Sequence, residues 1–292
     1  MNRKKTLQEL TIKDNFMFGA VMCDEEICKQ FLEMALEIPI ERVEVSKEKC
    51  IVYHPQFKGV RLDIYAKDET RTRYNVEMQA LKKDALPKRG RYYHSQIDME
   101  LLRTGLDYSE LPNSYVIFIC DFDPFGAGKY RYTIQNRCEE LSDTLIEDGN
   151  VTIFFSTKGT NKEDVSKELI SFLKYVSAEL EESTLDFEDE YVSKLQQAVS
   201  SIKSSREMES RYMIFKEMLK DEWNEGREAG RAVGRVEGRA ESIIMLLSEL
   251  GDVPRPLQEE ISSQIDLSIM EKWIKLAAKS ETIEMFEKQM YL

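Results

Sequence analysis

The sequence predicts a mixed α/β domain, in which helices pack against a sheet, followed by an all-helical region. Three observations support this class. Residues 1–180 alternate helical periodicity with strand-like runs, whereas residues 181–292 show helical patterns and no strand signal. The near-continuous apolar run SYVIFICDF, at 114–122, is typical of a strand buried on both faces in the middle of a sheet. The acidic stretch EESTLDFEDEYV, which begins at residue 181, marks the predicted domain boundary.

Each element of the first domain has its own signal. Apolar residues recur at helical spacing in residues 14–37, which indicates one or two amphipathic helices with Asp14 as a candidate N-cap. A similar pattern predicts a helix at 88–106, with Gly105 as its stop signal. A further helix is predicted at 162–180. Alternating or continuous apolar patterns predict strands at 43–53, 61–67, 73–81, 114–122, 130–137 and 150–157.

Composition places the chain among globular proteins. Its 292 residues are 42% hydrophobic and 33% charged, which is typical of a folded rather than a disordered chain. No apolar run approaches the ~20 residues that a bilayer span needs, and the N-terminus lacks the apolar core of a signal peptide. The five cysteines are odd in number and form no CxxC pair. We therefore expect a protein of the reducing cytoplasm that does not enter a membrane.

The scarcity of histidine restricts the kind of metal site. The only two, His54 and His94, nearly exclude zinc hydrolases, HNH-type nucleases and His-rich redox sites. Each histidine is more often a surface or packing residue than a ligand, and His94 is the better candidate for facing one. Any metal would be held by oxygen atoms, which points to Mg²⁺ or Mn²⁺.

The segment 62–79, LDIYAKDETRTRYNVEMQ, carries the candidate catalytic groups. Side chains alternate across a strand, so Glu77 and Gln79 project to one side, which Asp63 can share on the neighbouring strand. Carboxylates in cross-strand contact repel each other unless a positive group lies between them. A divalent cation that also binds a substrate phosphate is the strongest candidate. A solvent-facing polar stripe on the hairpin is the alternative interpretation.

A basic segment follows the carboxylates, although the chain has a net charge of −13. Residues 58–103 contain eleven Lys and Arg against seven Asp and Glu, and five of the basic residues lie in LKKDALPKRGR, at 81–91. Overall acidity opposes nucleic-acid binding, but the local distribution matters more than the total. The segment is either a solvated loop or a phosphate-binding surface.

At these residues the sequence resembles a known family. Asp63, thirteen intervening residues and then Glu77-x-Gln79 are similar to the PD-(D/E)XK nuclease superfamily, with Gln79 where most members carry lysine. The match narrows to the recombination-promoting nuclease / putative transposase family over about residues 8–180. It is carried by DNFMFGAVM, RLDIYAKDETRTRYNVEMQ, RGRYYHSQIDMELLRTGLDYSELPNSYVIFICDFDPF and a Gly-repeat helical tail.

The resemblance implies a restriction-endonuclease-like core, a mixed sheet flanked by helices, that cuts DNA with Mg²⁺ or Mn²⁺. Asp63 and Glu77 would be the catalytic metal ligands, with outer contacts from Asp14 or Glu33. Gln79 would orient the attacking water or contact the scissile phosphate, without the charge that lysine would supply. Substrate contacts are expected from the basic segment and the following helix, where the candidates are Lys82, Lys83, Arg89, Arg91, Tyr92 or Tyr93, and Gln96.

A glycine repeat dominates the C-terminal region 181–292. Residues 222–241, EWNEGREAGRAVGRVEGRAE, place a glycine at every fourth position, which returns to almost the same helix face. Each glycine costs roughly 1 kcal/mol relative to alanine, so close approach of another backbone would have to offset the cost. The Arg and Glu residues exclude a bilayer. We interpret the repeat as a soluble helix–helix contact, most simply self-association, and a loosely helical hinge is the alternative.

Three hypotheses about function follow. The first is a Mg²⁺-dependent DNA endonuclease with an oligomerisation arm, acting in recombination, transposon movement or phage-related processes. The second is a non-catalytic relative that binds nucleic acid or assembles with partners. The third is a helical scaffold whose acidic surface meets other proteins. The two carboxylates favour the first, because the pair is electrostatically unfavourable without a metal.

Overall fold

The computed structural model describes residues 5–51, 60–82, 84–141 and 144–291, and its centre is one mixed six-stranded sheet. Across the sheet the order is β1-β2-β3-β4-β6-β5, with parallel pairing of β3 with β4 and of β4 with β6 and antiparallel pairing elsewhere. The predicted mixed α/β class is confirmed. The strands are β1 (Val43–Ile51), β2 (Val60–Asp68), β3 (Arg73–Gln79), β4 (Ser114–Cys120), β5 (Arg131–Ile134) and β6 (Asn150–Ser156).

Helices flank the sheet and form the C-terminal part of the chain. Asp24 caps the second helix by accepting the N–H groups of Glu26 and Ile27, and Ser166 caps the fourth. Asp14 holds the N-cap position of the first helix, but its carboxylate makes no cap bond there. The helices are α1 (Asn15–Met22), α2 (Glu25–Leu36), α3 (Leu86–Leu101), α4 (Lys167–Ser177), α5 (Glu190–Ser204), α6 (Arg206–Ser248), α7 (Arg255–Ser263), α8 (Leu267–Ala277) and α9 (Ile283–Gln289).

Two helix ends differ from the sequence prediction. The helix predicted at 162–180 is shorter, because residues 162–164 form a separate 3₁₀ turn and Ser166 starts α4. The helix predicted at 88–106 ends at Leu101, where Leu102 turns to extended backbone. Gly105, with a φ of +92°, belongs to the turn that follows.

The sheet has an apolar layer on each side. On one side, Phe31 of α2 lies 6.5 Å from Phe155 of β6 and 5.3 Å from Phe172 of α4, measured between ring centroids. The other side packs against α3 and is called the α3 face below. Its buried cluster contains Tyr65, Leu86, Tyr93, Ile97, Val116, Phe118, Cys120 and Phe154.

Gly90 allows α3 to lie close to the sheet. A Cβ atom at this position would lie 3.3 Å from Thr152 Cγ2 and 3.4 Å from a ring carbon of Phe118, both of which are tight contacts. The glycine therefore weakens the helix by roughly 1 kcal/mol relative to alanine but permits the close approach. This approach sets the height of the neighbouring side chains of α3 above the sheet.

The described chain forms two compact units, and the first ends at Tyr212. The division lies later than the boundary near residue 180 that the change of composition suggested. The reason is that α5 packs with α1, α2 and α4, so it belongs with the sheet. The second unit, which begins at Met213, has its own apolar core, where Trp273 donates a hydrogen bond from its indole nitrogen to the carbonyl of Met290 at 2.8 Å.

The glycine repeat lies within α6, a continuous helix of 43 residues. At each of the four glycines, a Cβ atom would meet no other atom within 4 Å. Among the residues that the structure describes, no neighbouring atom fills the space beside them or offsets their cost to the helix. Among the described residues no helix is both long and apolar enough to cross a membrane.

His94 joins α3 to the sheet and is a packing residue. Its Nδ1 lies 2.6 Å from the hydroxyl of Ser114 on β4, and its Nε2 lies 3.0 Å from that of Thr152 on β6. Burial lowers the pKa of the imidazole to about 4, against the opposing charge of Asp148. His54, the other histidine, lies outside the described residues.

The pKa of His94 predicts a specific loss of stability in acid. Unfolding returns the pKa to about 6.5, so the unfolded chain binds the extra proton first and stability falls as the pH drops from about 6.5 towards 4. The slope for one proton is about 1.4 kcal/mol per pH unit. The free energy of unfolding, measured in urea at pH 7 and pH 5, should therefore fall between these pH values by about 2 kcal/mol more in wild type than in His94→Gln. Equal losses in the two proteins would contradict the assignment.

Candidate active site

Asp63 and Glu77 lie side by side where β2 and β3 separate. The strands are paired from Lys67 and Arg73 to Ile64 and Val76, so the next position brings the two acids opposite each other. The cross-strand bonds there are made by carboxylates. The backbone N–H of Asp63 donates to Glu77 Oε1 at 3.2 Å, and that of Met78 donates to Asp63 Oδ2 at 3.3 Å.

The two acids occupy different environments. The side chain of Glu77 is fully buried on the α3 face, whereas Asp63 is half-buried. The pKa of the Glu77 carboxyl is raised, chiefly by burial and next by the charge of Asp63, while Arg89 opposes both. Such a group is costly to bury in its charged form unless a cation stays near it.

The cation beside Glu77 is Arg89 of α3. Its Nη2 donates to Glu77 Oε2 at 2.7 Å, and its Nη1 lies 3.4 Å from the amide oxygen of Gln79. Its Nε donates to the hydroxyl of Tyr93, which in turn lies 3.4 Å from Glu77 Oε2. Arg89 therefore bonds to Glu77 directly and is held in place by a tyrosine one helical turn later.

Sequence reasoning placed Arg89 among the substrate contacts and missed its bond to Glu77. One signal was available, because Arg89 and Tyr93 stand at i and i+4 and such residues are neighbours on a helix surface. Their contact with Glu77 was not available, since it depends on how α3 lies across the sheet.

Gln79 completes the group on β3. It follows Glu77 by two positions, so its side chain points to the same face, and it is 5% exposed. Its amide oxygen accepts from Arg89, and its backbone carbonyl accepts from the N–H of Asp121 at 3.0 Å. The structure thus brings together the three residues Asp63, Glu77 and Gln79 that the sequence singled out.

The other sequence candidates are spread more widely. Lys82 and Arg91 are exposed, in the loop after β3 and on α3, and Lys83 lies outside the described residues. Gln96 is only 5% exposed, further along α3, so it is poorly placed to reach a substrate in this conformation. Of the proposed outer acids, Asp14 pairs with Lys5 at 2.9 Å and Glu33 accepts the N–H of Ile40 at 3.0 Å.

The donor set matches a hydrated oxygen-preferring ion. Asp63 and Glu77 offer carboxylate oxygens and Gln79 an amide oxygen, and Mg²⁺ is commonly held by one or two carboxylates with waters and a phosphate. In the described part of the chain, no cluster of three or more His, Cys, Asp or Glu residues could hold a metal by itself. The residues present therefore fit Mg²⁺ or Mn²⁺ that is partly held by water and substrate, and not a structural zinc ion.

Comparison with known proteins adds an independent finding. The family model described as PD-(D/E)XK nuclease family transposase matches residues 15–229, which include the whole sheet and the candidate site. The search of curated proteins and the search of solved structures each gave no match.

The hydroxyl of Tyr93 should contribute measurably to stability. Tyr93→Phe keeps the ring stacked at 6.3 Å from Phe118 but removes the hydrogen-bond partner of Arg89 Nε. We expect the free energy of unfolding in urea to fall by about 1–2 kcal/mol, the usual cost of leaving such a group unpaired. Tyr108→Phe, at a ring that is 81% exposed, is the control and should change little. If the free energy of unfolding of Tyr93→Phe equals that of wild type, the hydroxyl does not anchor Arg89.

Proposed function

Because the chain belongs to the PD-(D/E)XK nuclease family transposases, we propose that it is a Mg²⁺- or Mn²⁺-dependent DNA endonuclease with its active site at Asp63, Glu77 and Gln79. The observation that carries the proposal is the juxtaposition of two carboxylates, one fully buried, at the diverging end of β2 and β3. Two neighbouring acids inside a sheet repel each other unless positive charge lies close to them, and a bound divalent ion would supply such charge.

Each residue has a distinct role in this proposal. Asp63 and Glu77 would hold the ion, which supplies Lewis-acid polarisation of the scissile phosphate and neutralises developing charge. Gln79, whose amide both donates and accepts, would position the attacking water or a phosphate oxygen by hydrogen bonding. Because glutamine is neutral, it cannot stabilise negative charge as an ammonium group would, so more of that stabilisation has to come from the ion and from nearby arginine.

The DNA backbone would be met by the basic residues next to the site. Lys82 and Arg91 are exposed, and Lys83 lies between β3 and α3 in the sequence. This local excess of positive charge supports phosphate contacts despite the net charge of −13. We propose DNA recombination or mobile-element processes as the setting, in keeping with the family, and the reducing cytoplasm as the compartment. Among the described residues, Cys28, Cys120 and Cys138 form no disulfide, which supports that compartment.

We also propose that the C-terminal region, residues 181–292, contributes self-association through α6. Several large apolar side chains on this helix are strongly exposed, among them Leu219 at 45%, Trp223 at 61% and Val233 at 55%. Leu219 and Trp223 precede the four glycines that have open space beside them, and Val233 lies among these glycines. Burying this surface against a second copy would recover hydrophobic free energy and would let helix backbones approach each other. Two active sites in one assembly would suit cleavage of both DNA strands.

The nuclease proposal predicts metal-dependent cleavage that needs both acids. Purified protein should nick plasmid DNA with Mg²⁺ or Mn²⁺ and not with EDTA. Asp63→Asn and Glu77→Gln preserve shape but remove the anionic oxygens, so each should lower the rate by about 100-fold or more. Gel analysis of supercoiled plasmid over time measures the effect.

The control is Asp84→Asn, which removes an exposed carboxylate in the loop before α3 and should cut at the wild-type rate. Equal cleavage by all variants would indicate a contaminating nuclease and refute the assignment of the site. If no form cuts DNA while the folded wild type still binds it, the alternative of a non-catalytic nucleic-acid-binding relative would be supported instead.

Self-association predicts a mass above that of the 34.1 kDa chain in light scattering coupled to size-exclusion chromatography. The double variant Leu219→Lys, Trp223→Lys should weaken association at least tenfold, because it buries two charges in the proposed contact. Ile265→Lys alters a side chain that is 80% exposed but lies outside α6, and it should leave the mass unchanged. A monomeric wild type at micromolar concentrations would refute the proposal.

A further inference from the structure

Arg89 occupies the position at Glu77 that an incoming cation would have to use. Glu77 has two carboxylate oxygens, and Oε1 is taken by the backbone N–H of Asp63 across the strands. The other oxygen, Oε2, faces α3 and accepts from Arg89 Nη2 at 2.7 Å. A divalent ion that binds Glu77 through its outward oxygen must therefore compete with the guanidinium group for the same atom.

We propose that Arg89 is a built-in counter-ion that holds Glu77 in the absence of metal, and that it must release Glu77 Oε2 before a divalent ion can bind there. The inference rests on the proposed nuclease function and adds a control step to it. Once released, the guanidinium group is available to a DNA phosphate, which it can bind in a bidentate manner. Metal binding and DNA binding would then favour each other.

The surroundings of Arg89 permit a side-chain movement but not a movement of the helix. Its side chain is 32% exposed, so part of it already reaches solvent, whereas Glu77 is fully buried and cannot follow. The backbone N–H of Arg89 donates to the carbonyl of Ala85 at 3.0 Å, and Gly90 fixes the next residue against the sheet. A change of rotamer is therefore the available route by which Arg89 can leave.

The charges at the site explain why Arg89 has to release Glu77 before a divalent ion binds, and what would favour that release. With both carboxyls ionised, one guanidinium group leaves the pair of acids with one net negative charge. A divalent ion bound to Glu77 Oε2 while Arg89 stayed there would bring two positive charges together in a partly buried site, which is unfavourable. Lys82 is exposed shortly after Gln79, whose amide oxygen lies 3.4 Å from Arg89 Nη1, so a DNA phosphate bound at Lys82 would offer Arg89 a second anionic partner. Coupling of this kind is reciprocal, so DNA should strengthen metal binding.

Calorimetric titration of the full chain with Mn²⁺ in the absence of DNA tests the proposal without depending on cleavage. Arg89→Met removes the charge while keeping an unbranched side chain, and it should bind Mn²⁺ at least tenfold more tightly than wild type. Arg89→Lys keeps a cation and should stay close to wild type. Arg103→Met removes an exposed charge just after the end of α3 as a matched control and should change affinity less than threefold.

The outcomes separate this inference from the nuclease proposal. Equal or weaker Mn²⁺ binding by Arg89→Met would overturn it, because Arg89 would then orient Glu77 for the metal rather than compete with it. If neither wild type nor any Arg89 variant binds Mn²⁺ above the level of Asp63→Asn, both the inference and the metal-dependent function fail. Should Arg89→Met not fold, Tyr93→Phe loosens the anchor of Arg89 Nε instead. Its Mn²⁺ affinity should then rise, and an unchanged affinity would count against the proposal.

Discussion

The carboxylate of Glu77 sets the main constraint on this structure. It is fully buried, it faces a second acid across the strands, and one of its oxygens replaces a backbone acceptor by receiving the N–H of Asp63. A buried anion in this position needs a nearby cation and a well-packed shell of hydrogen bonds. Arg89 and Tyr93 supply both from α3, so the docking of one helix on the sheet and the charge balance of the candidate site depend on each other.

This interdependence explains the importance of the contacts that hold α3 on the sheet. His94 bonds α3 to the hydroxyl groups of two strands, and Leu86 and Ile97 bury it in the apolar cluster of the α3 face. These contacts fix the helix in orientation and height, and the reach of the arginine side chain follows from that placement. The contacts that Arg89 and Tyr93 make from α3 offset part of the repulsion between the two acids.

The sequence predicted the parts that follow from local periodicity. The two-residue repeat of a strand was sufficient to place Glu77 and Gln79 on one side, and the extended apolar run identified β4 as a central strand. It could not predict which cation faces Glu77, because that contact joins residues of two elements whose relative position is set by packing. Nor could it show that α5 belongs with the sheet, since an amphipathic helix has the same pattern whichever unit buries it.

A wider consequence follows from Gly90. Because this residue has no side chain, it lets the helix backbone lie directly against the sheet. A methyl group there would have to displace Thr152 or Phe118 or lift the helix, and the arginine next to it would be lifted too. The tripeptide Arg-Gly-Arg therefore sets the distance between α3 and the sheet in addition to supplying two charges. When such sequences are compared, loss of this glycine should indicate an altered candidate active site even where every acid is retained.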